Sequence, residues 1–411
     1  MFQLDFVETV AFGGLVLFGG HGMRRVVPVL ARYNIPAPVV GGLIVASVLS
    51  LLRSRGIVLA TFDTRLQTPM MISFFTSVGF GASLALLRVG GPQVLVFTVL
   101  CTVLACLQNV IGAAVAGALG LHPLFGVLNG SVTLTGGPAT ALAFAPLFES
   151  AGVAGAPTAG IAAAMVGIVA GGLIGGPVAT VLIHRLPGGR RRVPPGAQVV
   201  PHLATEIVEQ QLPDAVQRVP AGEDRESYGL LKSLVLIMTA MWIGSFVSAR
   251  FEAFGLTLPA YIGAMLVASV IRNLDDMTGL IGISQQVIDD LGNVALSLFL
   301  VLALMTLRLW ELAGLALPMI IILTVQVAVI AAVALGPTFR LMGRDYDAAV
   351  ISGGLCGFML GTTANAMANM EALTARYGPA PRAFLIVPMV GAFFIDFVNA
   401  VLITASLNLW T

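Results

Sequence analysis

Asp396, in the stretch AFFIDFVNA, is the one carboxylate near the middle of a long apolar run. An ionisable group at that depth in a bilayer is costly and points to function by default. Its oxygens suit a hard cation or the ammonium of a substrate; a charge paired for packing is the plainer alternative. Two further stretches place hydroxyls, amides and glycines where a membrane helix should run unbroken. GSVTLTGGPATA, from Gly130 to Ala141, carries Ser131, Thr133, Thr135, Gly136, Gly137 and Thr140. GGLCGFMLGTTANAMAN, from Gly353 to Asn369, carries Gly357, Gly361, Thr362, Thr363, Asn365 and Asn369. Glycines permit a tight reversal, and the freed amides of a half-helix N-terminus attract anions. Hydroxyls and exposed carbonyls can ligate a small cation or a substrate. The candidate ion-binding residues are therefore Asp396, Asn399 and Gly357, and the candidate substrate-binding residues are the remaining hydroxyls, asparagines and glycines of the two stretches. For any single hydroxyl, a local backbone hydrogen bond is an equal alternative. Gln108 and Asn109, polar at mid-span depth, read as an interhelical hydrogen bond before they read as cavity lining.

These residues must be positioned inside a membrane. Of the 411 residues, 57% are apolar and only 10% charged, whereas soluble domains carry about a quarter charged. A net charge of +1 with no basic face excludes a nucleic-acid partner. The three cysteines sit in apolar runs, and the four histidines are scattered without metal spacing. No nucleophile–base pair or cofactor motif is present, so the chain reads as no enzyme and needs no cofactor. The N-terminus carries Asp5 and Glu8 where a signal peptide would carry Lys or Arg, and reads as a retained first span that starts outside.

Charge-free runs long enough to cross a bilayer fall near 6–22, 35–52, 70–87, 91–119, 156–183, 230–249, 256–271, 291–307, 312–339 and 383–406. With both termini outside, all but Arg53, Arg55, Arg65, Arg250 and Arg308 of the 21 basic residues fall inside, a strong positive-inside bias. Residues 184–227 are rich in Pro, Gly and charge and read as a cytoplasmic linker.

The linker divides two halves, 1–183 and 228–411, that resemble each other. Val45–Val48 recurs at Val267–Val270, and Ala113–Ala116 at Ala331–Ala334. Gly120, Val127 and Gly130 match Gly343, Val350 and Gly353, and Val178 matches Val398. The order is constant along both halves. Five spans per half make the second half an inverted copy, with a re-entrant hairpin at about 124–148 in the first and about 346–376 in the second. Such inverted repeats with broken segments are the mark of secondary transporters, whose site lies between the breaks. Gly176 and Ala179 stand where the second half has Asp396 and Asn399, so the charge exists in one half only. A channel or facilitator is the rival reading; the single buried carboxylate favours a transporter.

The stretches QNVIGAAVAGALGLHPLFGVLNGSVTLTGG, LGNVALSLFLVLALMTLRLWELAGLALPM, YDAAVISGGLCGF and GPAPRAFLIVPMVGAFFIDFVNA resemble the bacterial sodium:glutamate symporter family over almost the whole chain. The resemblance implies an all-α, polytopic, elevator-type secondary transporter of the inner membrane, working as a homodimer. It further implies L-glutamate as substrate and sodium as coupling ion. The family's first hairpin usually reads Gly-Gly-His-Gly-Thr-Gly, whereas here it is Gly136-Gly137-Pro138-Ala139-Thr140-Ala141. Another small anion, a dicarboxylate, or a proton in place of sodium remain open alternatives.

Overall fold

The computed structural model describes residues 2–57, 59–85, 91–186, 225–253, 259–312 and 314–410. Most of the 184–227 linker therefore lies outside the described residues. Two short strands, β1 (Phe2–Gln3) and β2 (Ala60–Thr61), pair in parallel and tie the N-terminus to the loop after the second span. Everything else regular is helical: α1 (Phe6–Val26), α2 (Pro28–Arg32), α3 (Ala37–Ser54), α4 (Gln67–Gly81), α5 (Gly91–Ala118), α6 (Pro123–Val127), α7 (Gly137–Ser150), α8 (Ala156–Arg185), α9 (Arg225–Ala253), α10 (Ala260–Thr278), α11 (Gln285–Met305), α12 (Ala316–Val333), α13 (Phe339–Leu341), α14 (Tyr346–Met359), α15 (Thr363–Tyr377), α16 (Pro381–Phe393) and α17 (Ile395–Trp410). Asp5 and Glu8 have a specific local role: each side chain accepts the other's backbone N–H, a capping box that starts α1.

Among the described residues seven helices are long and apolar enough to cross a membrane, and the pair α16–α17, bent by 42°, makes an eighth. The sequence leads one to expect ten. The difference lies in α4 and α10. Helix α4 has 15 residues, about 22 Å at 1.5 Å each, short of the ~30 Å hydrocarbon core. Its apolar run continues to Leu87, but the helix stops at Gly81. Asn273 on α10 donates to the Ala82 carbonyl and accepts from the Leu84 N–H, both at 2.8 Å, which satisfies the unwound backbone. Helix α10 carries Arg272, Asp275 and Asp276 in its last turns, where Arg272 pairs with Asp276 at 2.9 Å.

The helices segregate into two bundles. Helices α1, α3, α4, α9, α10 and α11 pack on one another; α5–α8, α12 and α14–α17 form the second group, and contacts between the groups are sparse. Each half of the chain thus gives three helices to the first bundle, and two spans plus a broken segment to the second. Glycines set the closest crossings, as small residues do in membranes: Gly244 and Gly263 bring α9 onto α10, and Gly112 and Gly126 bring α5 onto α6. At the seam, Tyr261 of α10 stacks on Phe75 of α4 with ring centroids 4.4 Å apart and meets the edge of Phe144 of α7 at 5.4 Å.

Candidate functional site

The first broken segment begins with α6, continues into a π-helical stretch at Leu128–Val132, and re-forms as α7. The break is at Gly130, whose φ of −107° and ψ of −126° are not helical. Backbone groups freed at that depth need partners, and side chains from two neighbouring helices supply them. Asn109 Oδ1 on α5 accepts the Ser131 N–H at 3.1 Å, while Asn399 Nδ2 on α17 donates to the Ser131 carbonyl at 3.0 Å. Asn109 is completed by Ser406 at 3.3 Å. The turn ends at Gly137, where φ is +67°, a conformation that favours glycine.

The second broken segment is a pair of helices, α14 and α15, packed along each other and joined through Leu360–Gly361–Thr362. Thr362 caps α15 by accepting the Asn365 N–H at 3.3 Å. Two asparagines then lace α15 to α8: Asn365 Nδ2 donates to the Ile168 carbonyl at 2.8 Å, and Asn369 Nδ2 to the Gly171 carbonyl at 3.0 Å. Glycines on that face of α8 make room. A Cβ at Gly175 would strike the Asn369 amide, and one at Gly167 would strike the Leu360 carbonyl.

The two tips meet. The Cβ position of Gly137 lies 3.7 Å from the Gly361 carbonyl oxygen, so the N-termini of α7 and α15 converge on one point. The bend between α16 and α17 stands beside it: a Cβ at Gly391 would lie 2.8 Å from Thr363 Oγ1. Asp396 follows in the first turn of α17, half-buried and without a hydrogen bond or ion pair among the described residues. Asn399 is three residues on, hence on the same helix face.

Of the residues singled out in the sequence, Thr135 donates to Gln108 Oε1 at 2.7 Å. Thr140 is buried over Gly136, where a Cβ would lie 2.5 Å from its own Cβ. Gly357 lets the two arms of the second segment touch; its Cβ position is 2.7 Å from the Ala366 amide nitrogen. Thr362 and Thr363 are half-buried at the junction. Ser131 Oγ, Thr133 Oγ1, Asn365 Oδ1 and Asn399 Oδ1 are buried and unpartnered among the described residues. Each such oxygen costs about 1–3 kcal/mol if nothing meets it, so the site demands donors or a cation. No side-chain charge but Asp396 is offered at the junction by the residues just named, and the two helix N-termini supply partial positive charge for anionic groups.

Gln326, on α12, is a residue the sequence reading passes over. It is fully buried and its Nε2 donates to the Gln108 carbonyl at 2.6 Å. The signal was there: Gln326 follows Gln108 in the same register that relates Ala113 to Ala331. Outside the membrane spans, Asp347 caps α16 by accepting from Arg382 N and Ala383 N, and Arg382 holds Asp345 at 2.6 Å. Burial pushes the Asp347 carboxyl above its usual range against the pull of these partners.

Known proteins resemble this chain along essentially its whole length. The family model described as Sodium/glutamate symporter matches residues 2–379. A sodium/glutamate symporter of Haemophilus influenzae is 42% identical over 400 residues, covering 97% of this chain and 96% of that protein. Those of Escherichia coli K12 and Shigella flexneri are each 41% identical over 410 residues, covering 100% of this chain and 99% of theirs. The similarity runs along essentially the whole chain, and the chain belongs to the sodium/glutamate symporter family.

Proposed function

We propose that this chain imports L-glutamate together with sodium across a bacterial inner membrane, as a multi-pass homodimer with both termini periplasmic. The observation that carries the reading is the meeting of two helix N-termini at Gly137 and Gly361, inside a chain of this family. An acidic amino acid brings two carboxylates, which suit the amides at the starts of α7 and α15, with Thr362 and Thr363 beside them. The cation belongs on the α17 side, where Asp396 supplies formal charge and Asn399 Oδ1 and Ser131 Oγ supply unpartnered oxygens.

The two broken segments act as re-entrant hairpins of inverted repeats, and the bundle that holds both of them moves as one body past the other. The sparse seam between the bundles supports that elevator movement, since packed interfaces resist sliding. Reconstituted uptake of labelled glutamate, with and without an inward sodium gradient, tests the proposal. Uptake should require the gradient and be competed by unlabelled glutamate. Uptake driven equally by a proton gradient, or competed better by a dicarboxylate lacking the amine, refutes it.

A further inference from the structure

Gln108 sits between the two hairpins and touches both. It is fully buried on α5. Its Oε1 accepts the Thr135 hydroxyl, in the tip of the first hairpin, at 2.7 Å. Its Nε2 donates to the Met359 carbonyl, two residues before Gly361 in the second hairpin, at 2.9 Å. The amide cannot be turned round: a carbonyl only accepts, so Nε2 must face Met359. The backbone carbonyl of the same residue holds Gln326 and lies 2.9 Å from the Cβ position of Gly130, at the break. One residue of a span in the same bundle therefore touches both tips.

We infer that Gln108 is a positioning residue that couples the two hairpin tips, so that the carboxylate-binding amides of both tips and the cation-facing Ser131 of the first segment assemble together. The inference rests on the proposed sodium–glutamate reading and adds the element that links the two ligands. If one tip withdraws alone, a buried amide group loses its partner with no water to replace it, so the low-energy states are those in which both tips are seated or both released. Linkage then requires that sodium raise glutamate affinity by the factor by which glutamate raises sodium affinity.

The test is equilibrium binding to the purified full-length protein in detergent. Glutamate affinity is titrated in saturating sodium and in choline, and sodium affinity is read alone from the thermal midpoint. In the unaltered protein, sodium should tighten glutamate binding; if it does not, the proposed function itself fails, and that is decided before any variant is made. Gln108→Leu removes both contacts and should shrink the sodium-induced gain about tenfold, equivalent to about 1.4 kcal/mol of coupling, with sodium affinity alone changed less than about twofold. Gln108→Met keeps the length of the side chain but neither accepts from Thr135 nor donates to Met359, and should lose coupling too. Thr135→Val breaks the other arm in a near-isosteric way, and decides the matter should the Gln108 variants fail to elute as folded protein. An undiminished sodium-induced gain in Gln108→Leu or Thr135→Val overturns the inference. Equal weakening of both ligands with the gain intact assigns Gln108 a merely structural part and overturns it as well.

Discussion

Gly167→Ala is the sharpest probe of the way the site is held. A Cβ at Gly167 would collide with the Leu360 carbonyl of the second broken segment and lie 2.7 Å from Leu134 Cδ2 of the first. Ordinary carbon–carbon contact is about 3.5–4.0 Å; Leu134 can turn its side chain, but the backbone at Leu360 must retreat by on the order of 1 Å. Alanine gains about 1 kcal/mol over glycine within a helix, and overpacking costs about 1–3 kcal/mol. Global stability should therefore fall by only about 0–2 kcal/mol. Transport should suffer far more, because a 1 Å misplacement of converging groups costs on the order of a hundredfold in rate in enzymes. Sodium-driven glutamate uptake in proteoliposomes should drop by about that factor while the thermal midpoint moves a few degrees. Gly176→Ala on the same helix meets nothing within 4 Å and should transport normally with a slightly raised midpoint. Uptake by Gly167→Ala within about twofold of that control would refute the convergence of the tips as the working part of the site.

Three further outcomes follow from the geometry. Gly137→Val places a β-branched residue at a φ of +67°, a strain of about 1–2 kcal/mol, and stands a side chain between the tips; uptake should vanish while the protein still elutes as a folded species, and normal uptake would remove the tips as the binding point. Asp396→Asn should raise the half-maximal sodium concentration about tenfold or more, for about 1.4 kcal/mol lost; a rise in the glutamate constant alone would put the carboxylate on the substrate ammonium, and no change in either would make it a structural charge. Asn365→Leu and Asn369→Leu each remove a bond from α15 to α8 and should cost about 1 kcal/mol apiece, with faster hydrogen exchange over 363–377; unchanged protection there would show that these amides do not hold α15 in place.

The broken segments were legible because glycine, proline and hydroxyl residues cluster where an apolar period should continue, and the breaks fall within those clusters, at Gly130 and around Gly361. Helix spacing also showed that Asn365 and Asn369 share a face. It could not show what lies opposite that face, because i and i+4 fix a direction and not a neighbour; the neighbour is a row of backbone carbonyls on α8. The end of α4 was hidden for the same reason. Its apolar run gives no stop, and the residue that takes over its backbone bonds, Asn273, belongs to the other half of the chain. Gln326 was within reach of the repeat register, which carries information about pairs that no single window contains. Asp5 and Glu8 stand at the spacing of a capping box, and that is the part they play at the start of α1.

The division into two bundles has a mechanical corollary. The chain passes from one bundle to the other at three places only: after α4, after α8 and after α11. The first and third of these connections, 82–90 and 306–315, occupy equivalent places in the two halves, and the third is partly docked, with Thr158 of α8 donating to the Arg308 carbonyl at 3.2 Å. About ten residues reach at most roughly 35 Å when fully drawn out, so under the proposed movement of one bundle past the other these two segments would act as paired leashes that cap its extent. The connection between α8 and α9 is several times longer and by length alone sets no such stop. Removing a few residues from 306–315 would shorten the proposed stroke and leave the binding residues untouched, whereas extra residues in the long connection would leave that stroke as it is.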